Sequence, residues 1–434
     1  MTKAIAIVLV ALWTSAAEAA DRHVTPVGAG TKDGSDWSNA CDGFTGICAG
    51  TVLERGDTYY VADGDYTADG YLTLYKAATG TTRITVKKAI ESDHGSPVGW
   101  VSSMGDGQAV FDSVSFDSGY WTFDGQVGSG TSGYGFKVDP QTCTGAALIK
   151  GIDVGQNNSA MHISHVDIAM CGEDLLRNGT SSPTPCAPSG SCGLNQDGIY
   201  SCNFLPTTDL QIRHVYIHDL TRDGITLCGV DTVLIEYVRI ERNHSADDGS
   251  HGQGIAFISP PMNNATVRHS VFADVVGTAA IAWLGSNEMT YNNMYVYGNV
   301  FYSTDSARYW YSPNAIYGRP QTSQTNFFIY NNTFYKVVKP TTGMWGSTVQ
   351  GIESRNNVYV NSDFSSNPPS TGVTSTHNFY YANTGGFIPL NETGQQYGST
   401  EPFIDAPAGD FRLRTPTTTG VTLGSPYATD ASGI

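Results

Sequence analysis

GITLCGVDTVLIEYVRI, residues 224–240, is the stretch whose reading decides the fold. A short Gly-Ile strand is followed by a β-rich run, and the pair recurs along the chain. Gly-Ile or Ala-Ile stands at Gly198-Ile199, Gly224-Ile225, Gly254-Ile255, Ala280-Ile281 and Ala315-Ile316. The runs that follow are LQIRHVYI (210–217), VLIEYVRI (233–240), ATVRHSVF (265–272), MYVYGNVF (294–301) and FFIYNNTF (327–334). Self-similarity at a period of roughly 20 to 35 residues marks a solenoid, in which no unit buries its own apolar face and stacking supplies the core.

Upstream, RITVKKAI (83–90) and AVFDSVSF (109–116) alternate apolar and polar residues with turn residues between them, the pattern of half-buried strands. Long amphipathic helical patterns are absent. Aligning the β-rich runs gives two turn columns. One reads His165, His214, Tyr237, His269, Gly298, Asn331 and Asn356; the next reads Val166, Val215, Val238, Ser270, Asn299, Asn332 and Asn357. Stacked Asn suits parallel coils, because amides hydrogen-bond to their copies above and below and Asn tolerates left-handed φ. The column histidines are therefore expected to stack rather than to catalyse.

Lys3, an apolar stretch over residues 4–13 and the small residues Ala17-Glu18-Ala19 have the layout of a cleaved secretory leader, too short to span a bilayer. A secreted or periplasmic location follows. In an exported chain, eight cysteines point to disulfides. Cys202 and Cys228 share a column on adjacent coils, about 4.8 Å apart by strand spacing, and are expected to pair. Cys41 with Cys48, and Cys186 with Cys192, would close short loops.

A net charge of -17 argues against nucleic acid, which demands basic surface, and would repel a polyanion unless cations intervene. The chain divides into a leader (1–19), a solenoid (20–394) with insertions near 178–195 and 304–312, and a C-terminal cap (395–434). Insertions in solenoids emerge as loops, often on the binding face.

The opening motif Gly56-Asp57-Thr58-Tyr59-Tyr60-Val61, the Gly-Ile coils, the Asn columns and the ending Asp410-Phe411-Arg412-Leu413 with Ser425-Pro426 resemble those of secreted proteins of the pectate-lyase-like superfamily. The resemblance implies an all-β, single-stranded right-handed parallel β-helix with N- and C-terminal caps. It leaves the reaction open, since lyases, hydrolases, epimerases and non-catalytic proteins share that fold.

By strand phase, Ser201, Leu227, Phe257 and Trp283 point inward, and Trp283 is read as core rather than as a sugar platform. Tyr200, Thr226, Ala256, Ala282 and Tyr317 point outward, with Arg319 at the end of the last strand. Two residues before each Ile, the column reads Asp197, Asp223, Gln253, Ala279 and Asn314, and residues 247–254 (DDGSHGQG) lie beside it. Two carboxylates one coil apart raise one pKa or share a cation.

Three functions fit this cluster. A polysaccharide lyase would use His251, Tyr200 or Arg222 for proton transfer. Asp197, Asp223, Asp247 and Asp248 would hold a Ca²⁺ that bridges an acidic protein to an acidic polysaccharide. A glycoside hydrolase would pair Asp197, Asp223 and Asp247 or Asp248 across a gap of roughly 6.5 to 9.5 Å. A partial similarity to polygalacturonases supports the second reading: Asn195-Gln196-Asp197, Asp247-Asp248 and His251-Gly252 are present, but no Gly precedes His251 and the Asp pair and His share one turn. The third is a non-catalytic, polysaccharide-binding adhesin.

Asp197 and Asp223 also suit plain turn chemistry, since Asp caps a turn and the following Gly relaxes it. Substrate contacts are expected from Tyr309, Trp310 and Tyr311 on the second insertion and from Tyr317, Arg319 and Gln253. Arg222, Arg308 and Arg319 are the convenient cations. A monomer without a membrane span is expected.

Overall fold

The computed structural model describes residues 19–140, 148–155, 158–170, 195–202, 207–244, 252–259, 262–284, 290–304, 314–318, 323–342, 349–364, 373–386 and 392–423. Within them the chain forms parallel strands joined by turns and short 3-10 segments. Successive coils pair in register, so the architecture is a parallel β-helix.

The Gly-Ile segments build one face of nine parallel strands, from Tyr71–Leu74 through Ser113–Phe116, Leu148–Val154, Asn195–Ser201 and Ile225–Cys228 to Thr341–Thr342. Ile152, Ile199, Ile225, Ile255, Ile281 and Ile316 pair directly, one per coil, and all are buried. This face starts three coils earlier than the Gly198 repeat, because Leu72, Val114 and Ile152 already occupy the inward column.

Each β-rich run spans two further faces with a corner between them. The corner is the first turn column: His165, His214, Tyr237, His269, Asn331 and Asn356 all have φ between 49° and 57°. For residues other than Gly this backbone is unfavourable, and it recurs because stacking holds it in every coil. The rings stack as expected: His165 on His214 at 4.9 Å, His214 on Tyr237 at 4.9 Å, and Tyr237 on His269 at 5.4 Å.

The second column turns inward and carries the amide ladder. Ser270 N donates to Asn299 Oδ1 at 3.0 Å, Asn299 N to Asn332 Oδ1 at 3.0 Å, Asn332 N to Asn357 Oδ1 at 2.9 Å, and Asn357 N to Asn378 Oδ1 at 2.8 Å. The two roles expected of one Asn position are thus divided between neighbours. Next to it, Phe272, Phe301, Phe334, Tyr359 and Tyr380 stack at 4.8 to 5.2 Å through the core.

Trp283 is buried and lies parallel to Phe257 at 5.6 Å, in agreement with its inward phase. Cys41–Cys48 and Cys202–Cys228 are disulfides. Cys186 and Cys192, the leader, and almost all of both insertions lie outside the described residues. The last parallel rung is Gln396–Tyr397, followed by an antiparallel pair, Phe403–Asp405 with Asp410–Leu413, whose Phe403 and Phe411 pack on Tyr335. Among the described residues no helix is long and apolar enough to cross a membrane.

Candidate functional site

The glycine of the Gly-Ile repeat has a steric cause that also places the acids. A Cβ on Gly198 would lie 2.6 Å from Gly224 O and 2.6 Å from Ile217 Cγ2, so any other residue would force the coils apart. With the backbone drawn in at this corner, the preceding residue is drawn in too. Asp197, Asp223 and Gln253 are all buried.

They form a second ladder. Asp223 N donates to Asp197 Oδ1 at 3.3 Å, and Gln253 N donates to Asp223 Oδ1 at 2.8 Å. The remaining carboxylate oxygens accept from side chains: Asp197 Oδ2 from Arg222 at 3.0 Å, and Asp223 Oδ2 from Thr226 Oγ1 at 3.1 Å. Burial, and then the charge of Asp223, push the Asp197 carboxyl upward against the pull of Arg222. Each of the four oxygens accepts one hydrogen bond, so a Ca²⁺ here would share oxygens that already serve the ladder. Among the described residues no group of three or more acidic, His or Cys side chains is arranged around a metal position.

Lys150 lies on the same column, because it pairs with Asp197 in register two residues before Ile152. Its Nζ lies 2.6 Å from Asp153 and 4.1 Å from the centre of the Tyr200 ring. Tyr200 is half-buried; burial first, then Asp197, raise its phenol above the ordinary value. Asp153 pairs with Tyr200 on the outward column, and the exposed Tyr71 has its phenol near Ser115 and Asp153. Arg222, about a quarter exposed, reaches Asp197 and lies 3.9 Å from Asp223. Lys150, Asp153, Asp197, Tyr200, Arg222 and Asp223 thus occupy one edge of the Gly-Ile face.

The structure brings Asp197, Tyr200, Arg222, Asp223 and Gln253 together. It places Tyr317 three coils from Thr226 on the outward column and so away from them. His251, Asp247, Asp248, Tyr309, Trp310, Tyr311 and Arg319 lie outside the described residues. Two expectations are corrected. The outward column is not an open strip, since Thr226, Ala256 and Ala282 are wholly buried: a methyl or short hydroxyl leaves the middle of the strip sunk below its rim. Nor are arginines the only cations at hand, because Lys150 stands in the site.

The signal for Lys150 was present in the repeat itself. Gly151-Ile152 is one more Gly-Ile pair, one coil before Gly198-Ile199, and counting back two residues gives Lys150. A second network had no such signal. His218, Asp167, Asp219, Glu241, Arg239, Arg242 and Tyr216 meet on the outer side of the third face from three coils with no shared motif.

No protein-family model matches the chain, and no curated protein matches it. Among solved structures, pectate lyase Pel9A is similar at 12% identity over 94% of this chain and 93% of that one, with a TM-score of 0.49. An alginate lyase from a Paenibacillus species aligns at 12% identity over 80% of this chain and 92% of its own, TM-score 0.38. A GH87 alpha-1,3-glucanase from Streptomyces thermodiastaticus aligns at 12% identity over 86% and 67%, TM-score 0.41. By its own strand pairing, the present chain is a parallel β-helix protein.

Proposed function

We propose that this protein is an exported carbohydrate-active enzyme, a polysaccharide lyase that cleaves a uronate-containing polymer by β-elimination. The observation that carries the reading is the edge of the Gly-Ile face, where Lys150 and Arg222 set two cations around a half-buried tyrosine whose phenol is held protonated. In β-elimination a base removes the proton α to the uronate carboxylate, the electron pair forms a carbon–carbon double bond, and the β C–O bond breaks. Neutralising the carboxylate makes the first step accessible, and a proton on the leaving oxygen completes the last.

Lys150 and Arg222 suit the carboxylate, which would displace Asp153 and Asp197 as their partners. Tyr200 suits the leaving oxygen as acid, because its phenol O–H is a donor at this edge, now bonded to Cys202 O at 3.1 Å. His251 is proposed as the base. A Ca²⁺ held by Asp197, Asp223, Asp247 and Asp248 remains part of the proposal. Tyr309, Trp310, Tyr311, Tyr317, Arg319 and Gln253 are proposed substrate contacts.

One feature favours a hydrolase instead: burial and the neighbouring Asp223 raise the Asp197 carboxyl, the direction a general acid requires. A single assay separates the readings. Purified protein is incubated with pectate, alginate, glycosaminoglycans and glucuronans, with and without chelator, while ultraviolet absorbance of unsaturated products and reducing ends are followed together. A lyase raises both, and a hydrolase raises reducing ends alone. If neither rises on any polymer, the enzyme reading fails and the binding-protein reading takes its place. Loss of activity with chelator supports the cation.

A further inference from the structure

His218 lies on the outer side of the third face with both ring nitrogens against carboxylates. Nε2 is 3.0 Å from Asp167 Oδ1 on the preceding coil, and Nδ1 is 2.5 Å from Asp219 Oδ2. A neutral imidazole has one N–H, so it serves only one of these acceptors; the imidazolium serves both. The other groups facing it are Tyr216, stacked on the ring at 4.2 Å, and Arg242 and Glu241 from the following coil. Arg242 is bound to Asp219 at 2.7 and 2.9 Å and also to Glu241, while Arg239 holds Glu241 at 2.6 Å and Tyr302 at 3.0 Å. Tyr134 covers Tyr216 from outside.

The chain runs from this network straight into the site. Asp219 is the penultimate residue of the clasped strand, Thr207–Leu220, and Arg222 and Asp223 follow within four residues. On the next coil Arg242 precedes Asn243, whose Nδ2 donates to Gln253 O at 2.6 Å, at the end of the acidic ladder.

We propose that His218 is a proton-operated clasp: as an imidazolium it ties Asp167 to Asp219 and holds the corner that presents Arg222 and Asp223, and on losing its proton it lets that corner loosen. His218 would then be a positioning residue whose charge state gates the site as pH rises through its folded-state pKa. This consequence for catalysis rests on the lyase reading, whereas the clasp itself does not. Burial lowers the imidazole's pKa, but the bonds to Asp167 and Asp219 outweigh it and carry the group above 6.5. With the folded pKa raised, the stabilisation is full below the unfolded value and is lost as pH rises through the folded one.

The test uses the full chain without substrate. Hydrogen exchange, corrected for intrinsic rates, is followed over residues 219–225 from about pH 6 to about pH 9, alongside an imidazole NMR titration assigned with His218→Gln. The expected result is a loss of protection in the wild type that tracks one imidazole titrating above 6.5, both absent from His218→Gln. A His218 resonance titrating at or below 6.5, or the same exchange step in the variant, overturns the clasp. If His218→Gln does not fold, Asp167→Asn keeps the ring and an amide acceptor but removes one carboxylate charge; its titration midpoint should fall, and an unchanged midpoint overturns the proposal. Because no step uses a polymer, a failed clasp and a failed lyase reading give different results.

Discussion

Two ladders run along this β-helix, and their difference separates scaffold from site. In the Asn ladder each buried carboxamide accepts from the backbone N–H of the preceding coil and donates through Nδ2, as Asn332 does to Val296 O at 2.9 Å. In the acidic ladder each buried carboxylate accepts from the following coil's N–H. The geometry is comparable, but a carboxylate only accepts, so nothing balances its charge internally. The Asn ladder closes on itself electrically, whereas the acidic one leans on Arg222, and burial beside Asp223 raises the Asp197 carboxyl. Neutral repetition balances itself; charged repetition calls for a partner outside the ladder.

The largest effect is expected from breaking the neutral ladder. Asn332→Ala leaves the backbone N–H of Asn299 without its acceptor and Asn357 Oδ1 without one of its donors, and should cost about 3 kcal/mol in urea denaturation. A loss under about 1 kcal/mol would show that water replaces the amide and that the ladder is not a structural spine.

Next in size is the charged edge. Lys150→Ala should lower lyase turnover by about 100-fold, the usual effect of removing one stabiliser of developing charge, with a change in stability of under about 1 kcal/mol. Unchanged turnover removes Lys150 from the site. Asp223→Ala and His251→Ala extend the same measurement, and full activity in both would sink the site assignment.

A smaller, signed effect sharpens the contrast between the ladders. Because the folded-state pKa of Asp197 is raised above 3.8, the folded state keeps its proton where the unfolded chain has lost it, so stability falls as pH rises from 3.8 toward the folded value. Asp197→Asn converts that rung to the neutral kind and should flatten the decline in pH-dependent denaturation. A wild-type curve already flat over that range would mean that Arg222 alone balances the pair. The smallest change is expected from His214→Asn, which replaces a stacked ring by the residue found at the same corner in Asn331 and Asn356: about 0.5 kcal/mol or less in stability, and no change in turnover.

Much of the fold was legible because a β-helix repeats. The Ile column, Trp283, the histidine stack and the Cys202–Cys228 pairing all follow from counting along strands of known phase. The site was legible only where it shares that count: Asp197, Asp223 and Gln253 fall on one column, and Lys150 would have been found by extending the count one coil. The His218 network could not be found so, because Asp167, His218 and Arg242 come from different positions of their strands and meet only through inter-coil register.

What the sequence alone determined is periodicity: which residues face in, which turn, and which stack on their copies. Those follow from strand alternation and from the steric demand for a small residue, Gly or Ala, before each Ile of the repeat. What only the tertiary structure decided is charge environment. Burial of Asp197 beside Asp223, the reach of Arg222 across a coil, Lys150 over Tyr200 and the two carboxylates on His218 depend on desolvation and on distances between coils, which no local pattern encodes.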